Sequence, residues 1–159
     1  MKKSFFTLLL GLGVAFGANI QTLTQQCEAN NAKACFDLGV AYFNGTGVAK
    51  DSSKAFELMQ KACDLGNARG CYWVGYVYEQ GEDLTTGVAK DLSKTFAFYK
   101  KACDMGDAQG CYSVGHYYYY GTGVKKDINA AKNYSKKACS MGYQDGCYNY
   151  KIMLRQGGR

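Results

Sequence analysis

The fold is decided by CFDLGVAYFNGTGVAKDSSKAFELMQKACDLGNARG, residues 35–70, because the chain repeats this stretch twice. The second copy, CYWVGYVYEQGEDLTTGVAKDLSKTFAFYKKACDMGDAQG, spans residues 71–110, and the third, CYSVGHYYYYGTGVKKDINAAKNYSKKACSMGYQDG, spans residues 111–146. The second copy carries four inserted residues around Glu82 to Thr85, and a fourth copy stops about one helix after Cys147. Internal periods of about 20–50 residues are typical of stacked repeat proteins.

Each unit has the pattern of two helices joined by a glycine-rich turn. Apolar residues recur at helical spacing in its first half, as in Phe36, Leu38 and Tyr42. Aspartates stand where a cap would begin the second helix, and glycines stand where that helix would end: Asp51, Asp91 and Asp127, then Gly66, Gly106 and Gly142. The chain has no proline and no period-2 alternation. The sequence therefore predicts an all-α superhelical solenoid of αα-hairpins.

Glycines inside the first helix of every unit indicate close helix packing. Gly39, Gly75 and Gly115 each cost about 1 kcal/mol relative to alanine in a helix, so another helix is expected to approach them. We expect residues 18–34 to form an N-terminal helix with the first cysteine module. Residues 147–159 are expected to form a C-terminal capping helix and tail.

The N-terminus has the pattern of an export signal. Two lysines precede the apolar run FFTLLLGLGVAFGA, residues 5–18, which is too short for a membrane span. We interpret residues 1–17 as a signal peptide, with a buried N-terminal helix as the alternative. The mature protein is then expected to be secreted or periplasmic, with no membrane segment.

The eight cysteines form four modules, each with a spacing of eight residues. Local pairing leaves no cysteine over and predicts the bridges Cys27–Cys35, Cys63–Cys71, Cys103–Cys111 and Cys139–Cys147. Pairing within a unit, such as Cys35 with Cys63, is the competing arrangement, and it would leave Cys27 and Cys147 unpaired at opposite ends. Zinc is disfavoured because structural zinc spacings are shorter and only one histidine is present. We expect no metal and no cofactor.

The charge of the chain is moderately basic and evenly spread. The formal net charge is +6. Because the lysines and arginines form no stripe or cluster, nucleic-acid binding is not expected.

The motifs LGVAYFNGTGVAKD, VGYVYEQG with TGVAKD, and VGHYYYYGTGVKKD, each followed by KAC, resemble the Sel1-like repeat. The cysteine after KA, with a second cysteine eight residues later, resembles the Helicobacter cysteine-rich protein family. This resemblance implies an αα solenoid with a disulfide in each repeat. It also implies penicillin binding with weak β-lactamase activity, which is a hydrolase activity linked to antibiotic resistance, and partners in the host or the cell envelope.

Positions that vary between the units indicate a binding surface. In the first helices these positions lie three, four and seven residues apart, which places them on one helical face. Aromatic residues are favoured in such surfaces. We predict a ligand-binding groove lined by Asp37, Asn44, Trp73, Tyr76, Gln80, Ser113, His116, Tyr117 and Tyr120, together with Val40, Ala41 and Val77. The alternative is that these aromatic residues belong to the core.

Two functions remain in competition. The first is a module that binds a peptide or protein ligand in the groove, which the repeat architecture favours by analogy. The second is β-lactam binding and weak hydrolysis, which rests on the resemblance alone. The chain has no S-x-x-K motif, so the catalytic residues are unknown and Ser113 and His116 are the weak candidates. A peptidoglycan fragment would suit both hypotheses, because penicillin mimics a cell-wall peptide.

Overall fold

A computed structural model describes residues 19–81 and 85–156, and within them the chain is helical. The predicted signal peptide, residues 1–17, lies outside the described residues, as does most of the insertion in the second unit. The helices follow one another as antiparallel neighbours. They are α1 (19–28), α2 (Ala32–Asn44), α3 (Ser52–Asp64), α4 (Ala68–Gln80), α5 (Leu92–Asp104), α6 (Ala108–Tyr120), α7 (Ile128–Ser140) and α8 (Gln144–Gln156). The predicted all-α hairpin solenoid is confirmed.

Side-chain caps begin each helix of a hairpin. Asp51, Asp91 and Asp127 accept hydrogen bonds from backbone amides at the starts of α3, α5 and α7, as expected from their positions. The first helices also have caps, which are Asn31, Asn67 and Asp107. These caps start α2, α4 and α6 three residues before the cysteines that begin the predicted units.

The glycines inside the first helices lie against the second helices, as predicted. A Cβ atom added to Gly39 would lie 3.0 Å from Cγ of Met59, and one added to Gly75 would lie 2.8 Å from Cδ1 of Tyr99. The contact at Gly75 is closer than real Cβ atoms make and the contact at Gly39 is at the lower limit, so alanine at either position would force the facing side chain to shift.

Disulfides join each second helix to the next first helix. The bonded pairs are Cys27–Cys35, Cys63–Cys71, Cys103–Cys111 and Cys139–Cys147, which are the pairs expected from local pairing. Their Cα atoms are 4.4–4.6 Å apart, at the short end of the usual range. Glycine permits this approach in the last three modules, because a Cβ on Gly110 would lie 2.9 Å from the backbone nitrogen of Cys103.

The first cysteine module makes the same turn without glycine. Asn30 occupies the position of Gly66, with a φ of 62°, and asparagine tolerates this left-handed conformation better than most residues. The buried Ala34 occupies the position of Gly70. The module therefore keeps its geometry through a different choice of residues.

The core runs along the stack between the two layers of helices. It includes six of the eight cysteines together with small and aromatic residues, so the first three disulfides lie inside the apolar interior and the fourth lies at its margin. Within residues 19–81 and 85–156, no helix combines the length and apolar character needed to cross a membrane. The four disulfides indicate an extracytoplasmic protein.

Candidate functional site

A row of aromatic rings crosses the face formed by the first helices of the repeats. The ring of Trp73 lies between Phe43 of α2, at a centroid distance of 5.5 Å, and Tyr76, at 5.4 Å. Trp73 and Tyr76 are both half-buried, so part of each ring reaches the surface. We define the Trp73 cluster as Phe43, Trp73 and Tyr76.

A second group of aromatic residues lies on α6. The imidazole of His116 is 4.6 Å from the ring of Tyr120 and 6.5 Å from that of Tyr112, measured between centroids. His116 and Tyr120 are exposed, and 62% of the surface of Tyr120 is accessible. The predicted groove residues of the third unit therefore include two side chains that a partner could contact directly.

The polar residues predicted for the groove lie at or near the surface. Asn44 is exposed, and Asp37, Gln80 and Ser113 are half-buried. Asp37 also forms an ion pair with Lys33, one turn earlier on α2. The predicted groove residues with polar side chains therefore occur on all three first helices, whereas the aromatic ones are on α4 and α6.

The prediction that Tyr117 lines the groove is wrong. Only 2% of Tyr117 is exposed, because its helical position points toward the second helices rather than outward. Ala41 and Val77 occupy the same position in the other units and are buried for the same reason. This position contributes to the core in all three units.

Tyr117 instead belongs to a hydrogen-bonded group that sequence reasoning missed. The hydroxyls of Tyr99 and Tyr117 donate hydrogen bonds to the two carboxylate oxygens of Glu79, at 2.6 Å and 2.8 Å. Burial raises the pKa of both tyrosines, and their hydrogen bonds to Glu79 raise it further. Both phenols therefore remain neutral donors, and Glu79 connects the second repeat to the third.

A cavity of about 230 Å³ opens between α6, α7 and α8. Tyr112, His116, Tyr119 and Tyr120 line it from α6, and Asn149, Ile152 and Met153 line it from α8. Ser135 of α7 also lines it, and within the described part of the chain its buried hydroxyl has no hydrogen-bond partner. Sequence reasoning did not identify this cavity.

The structure brings Ser113 and His116 onto one helix without forming a catalytic pair. Among the described residues, no hydrogen bond joins their side chains, and no group of three or more metal-binding side chains occurs. Ser135 and Lys136 are a serine and a lysine adjacent in the sequence. The serine is buried and the lysine is exposed, so their side chains point in different directions. A serine hydrolase needs its nucleophile within reach of a base, and these residues do not supply that arrangement.

Comparison with known proteins identifies the repeat. The model of the Sel1 repeat matches residues 32–67, 68–107 and 108–143, which begin three residues before the units defined by the cysteines. No curated protein sequence is significantly similar to the chain.

Solved structures share the architecture over most of the chain. A Sel1 repeat protein from Oxalobacter formigenes is 27% identical, with a TM-score of 0.76 over 83% of this chain and 96% of that one. The protective antigen c5321 of uropathogenic Escherichia coli is 30% identical, with a TM-score of 0.73, and the similarity covers 80% of this chain and 26% of the antigen.

A protein described as cysteine rich also has a similar structure. Cysteine rich protein B of Helicobacter pylori is 32% identical, with a TM-score of 0.66 over 85% of this chain and 94% of that protein. Sel1 repeats generally mediate protein–protein interactions. With three matched repeats, four disulfides and eight helices in the part of the chain that the structure describes, this chain belongs to the Sel1 repeat family and resembles its cysteine-rich members.

Proposed function

We propose that the protein is exported and binds a peptide or an extended protein segment along the face formed by α2, α4 and α6. The observation that carries this proposal is the Trp73 cluster, a continuous contact of three rings across two repeats. Tyrosine and tryptophan combine a large apolar area with a polar tip, and such residues dominate the energy of protein interfaces.

The shape of the face favours an extended ligand. Successive first helices present equivalent positions at regular intervals, so a bound segment meets a new set of side chains at each repeat. Asp37 and Asn44 offer polar contacts at one end, and His116 and Tyr120 offer aromatic contacts at the other. A ligand that crosses the face would therefore place polar groups over α2 and apolar or aromatic groups over α4 and α6.

Selection from a displayed random-peptide library tests the proposal. The bait is the oxidised chain from residue 18 onward, and the affinities of selected peptides are measured by calorimetry. Trp73→Ala is expected to weaken binding at least tenfold, since truncation of a central aromatic residue at an interface costs about 2 kcal/mol or more.

Tyr148→Ala is the matched control. Tyr148 is 66% exposed but lies on α8, outside the Trp73 cluster. The control should retain full affinity and an unchanged circular-dichroism spectrum. Peptides that bind both variants as tightly as the unmodified protein would place the binding surface elsewhere.

Hydrolysis of β-lactams is not part of this proposal. The resemblance implies it, but Ser113 and His116 form no nucleophile–base pair. A chromogenic β-lactam is therefore expected to give no product beyond one equivalent. Repeated turnover by the purified protein that disappears in His116→Ala would establish an enzyme.

A further inference from the structure

The cavity beside Ser135 exists because the third repeat lacks a large side chain that the other repeats possess. Met59, Tyr99 and Ser135 are equivalent, since each lies eight residues after the aspartate that caps its helix. Each also faces the glycine of the preceding helix: Met59 faces Gly39, Tyr99 faces Gly75 and Ser135 faces Gly115. In the first two repeats the methionine and the tyrosine are buried and fill this position. In the third repeat the serine leaves it open.

The second repeat shows how an aromatic ring occupies this position. The ring of Tyr99 stacks on that of Tyr72, with centroids 5.2 Å apart and an interplanar angle of 23°. The ring of Tyr117 packs edge to face against the ring of Tyr99, with centroids 5.8 Å apart, and Glu79 accepts a hydrogen bond from the hydroxyl of Tyr99. Together with Gly75, these residues form the surroundings of Tyr99.

All four surrounding residues have counterparts in the wall of the cavity. Counterparts are defined by an equal number of residues from the cysteine of the first helix in each unit. By this measure Tyr112 corresponds to Tyr72 and Tyr119 corresponds to Glu79. Gly115 replaces Gly75 on α6, and Met153 on α8 replaces Tyr117. Each of these four counterparts lines the cavity. The third repeat therefore retains the tyrosine and the glycine that adjoin the aromatic ring in the second repeat, but it lacks the ring itself, and a tyrosine and a methionine replace Glu79 and Tyr117. These counterparts are Tyr112, Gly115, Tyr119 and Met153.

The chemistry of the cavity favours a ring with a polar group. Its volume of about 230 Å³ exceeds the roughly 150 Å³ of an engineered protein cavity that binds benzene. Its lining contains no carboxylate, ammonium or guanidinium group, and its polar side chains are the tyrosines, Ser135, Asn149 and the imidazole of His116. The hydroxyl of Ser135 is buried without a partner in the described residues, and a ligand hydroxyl could satisfy it.

We propose that this cavity binds the side chain of a tyrosine from the peptide partner. The inference rests on the proposed function, since His116 and Tyr120 belong both to the cavity and to the proposed binding face. The inserted phenol would stack on Tyr112, as Tyr99 stacks on Tyr72, and its hydroxyl would hydrogen-bond to Ser135. The site therefore selects tyrosine over phenylalanine, because only tyrosine has this hydroxyl.

The test uses small probes and does not require the natural partner. Backbone NMR spectra of the oxidised chain from residue 18 onward are recorded during titration with p-cresol and with toluene, which represent the tyrosine and phenylalanine side chains. We expect saturable shifts at residues that line the cavity, with p-cresol binding about tenfold tighter than toluene. Ser135→Ala should remove most of this preference while it retains toluene binding.

Variants that fill the cavity provide the decisive comparison. Ser135→Tyr and Ser135→Met introduce the residues that the other repeats use at this position, and both should abolish binding of the two probes. Because they fill a void, they should also raise the midpoint of thermal unfolding, which shows that the variants are folded. Ser93→Tyr, at an exposed position on α5, is the matched control and should bind like the unmodified protein.

The outcomes separate this inference from the proposed function. Absence of saturable p-cresol binding, or equal binding by Ser135→Tyr, would overturn the cavity proposal, as would saturable binding of N-acetylglucosamine in place of p-cresol. Selected peptides that respond to Trp73→Ala but not to Ser135→Tyr would preserve the proposed function and reject the tyrosine site. Binding of p-cresol without any selectable peptide would support the phenol site and reject the peptide face.

Discussion

The hydroxyl of Tyr99 donates a 2.6 Å hydrogen bond to Oε2 of Glu79, and this bond joins the two helices of the second repeat. Tyr117 donates to the other carboxylate oxygen from α6. A charged acceptor thus serves two phenols in a largely apolar region, which fixes the second repeat against the third.

Replacement of Glu79 by glutamine should weaken the stack. The neutral amide has only one oxygen, so it can accept one of the two hydrogen bonds in the same geometry, and neither phenol keeps a charged partner. We therefore expect a loss of about 1–3 kcal/mol in the free energy of unfolding. The free energy of unfolding in urea measures the effect. Glu57→Gln, at an exposed position on α3, is the control and should stay within about 0.5 kcal/mol of the unmodified protein.

The raised pKa values of Tyr99 and Tyr117 predict loss of stability in alkali. Above about pH 10 these tyrosines ionise in the unfolded chain but keep their protons in the folded chain, so the folded state binds more protons and stability falls as pH rises. Each tyrosine contributes a slope of up to about 1.4 kcal/mol per pH unit. Tyr99→Phe should make the decline between pH 10 and 11.5 shallower, as measured by urea unfolding. An identical decline in both proteins would contradict the role assigned to this phenol.

Alanine substitutions at two equivalent glycines should have different effects. A Cβ on Gly75 would collide with the ring of Tyr99, which its hydrogen bond to Glu79 holds in place. A Cβ on Gly115 would lie 3.0 Å from the Ser135 hydroxyl, which can move into the adjoining cavity, and 3.2 Å from the backbone oxygen of Ala131. Gly75→Ala should therefore cost about 1–3 kcal/mol, and Gly115→Ala should cost less, because the gain in helix propensity offsets the tighter packing.

Thermal unfolding of the two glycine variants provides the comparison. The midpoint of Gly75→Ala should be lower than that of Gly115→Ala by several degrees. Equal midpoints would show that the ring of Tyr99 yields as readily as the serine hydroxyl.

The disulfides should contribute unequally to stability. Each closes a loop of about eight residues, which corresponds to about 2.5 kcal/mol in the chain-entropy model. Cys103 and Cys111 are fully buried, whereas Cys139 and Cys147 remain partly exposed near the end of the stack. Replacement of the buried pair by alanine also removes core packing, so its cost should exceed that of the outer pair.

Guanidinium unfolding of the two double variants measures this difference. Mass spectrometry of the remaining disulfides serves as the control, because rearranged bridges would invalidate the comparison. A larger loss for the outer pair would show that the end of the stack depends on its bridge more than on burial.

The sequence predicted the architecture because each local signal is repeated three times. Asp51, Asp91 and Asp127 occupy the same position in the three units, at the start of the second helix. A capping residue that recurs in every unit is rarely there by chance, so the helix start can be predicted from it. The burial of Tyr117 could not be predicted, because the residue at its position varies between the units and such variation is typical of exposed positions. The core contains alanine, valine and tyrosine at this position in the three units, so variation there does not indicate exposure.

The cavity was missed although the sequence contains a signal for it. The informative change lies in the second helices, where Met59 and Tyr99 of the first two units are replaced by Ser135 in the third. A loss of side-chain volume at a core position is visible in an alignment of the units. Whether neighbouring helices close the gap depends on packing, which only the three-dimensional structure reveals.

The short span of every disulfide has a consequence for how such a protein can change over generations. Because each bridge joins cysteines eight residues apart, a duplication or deletion of one whole unit leaves every cysteine with a partner at the same spacing. Loss of residues 71–110, for example, would bring Cys63 next to Cys111 at the distance that now separates Cys63 from Cys71. Recombination can therefore change the number of repeats, and with it the length of the binding face, while the cysteines of the remaining repeats still form disulfides over the same spacing.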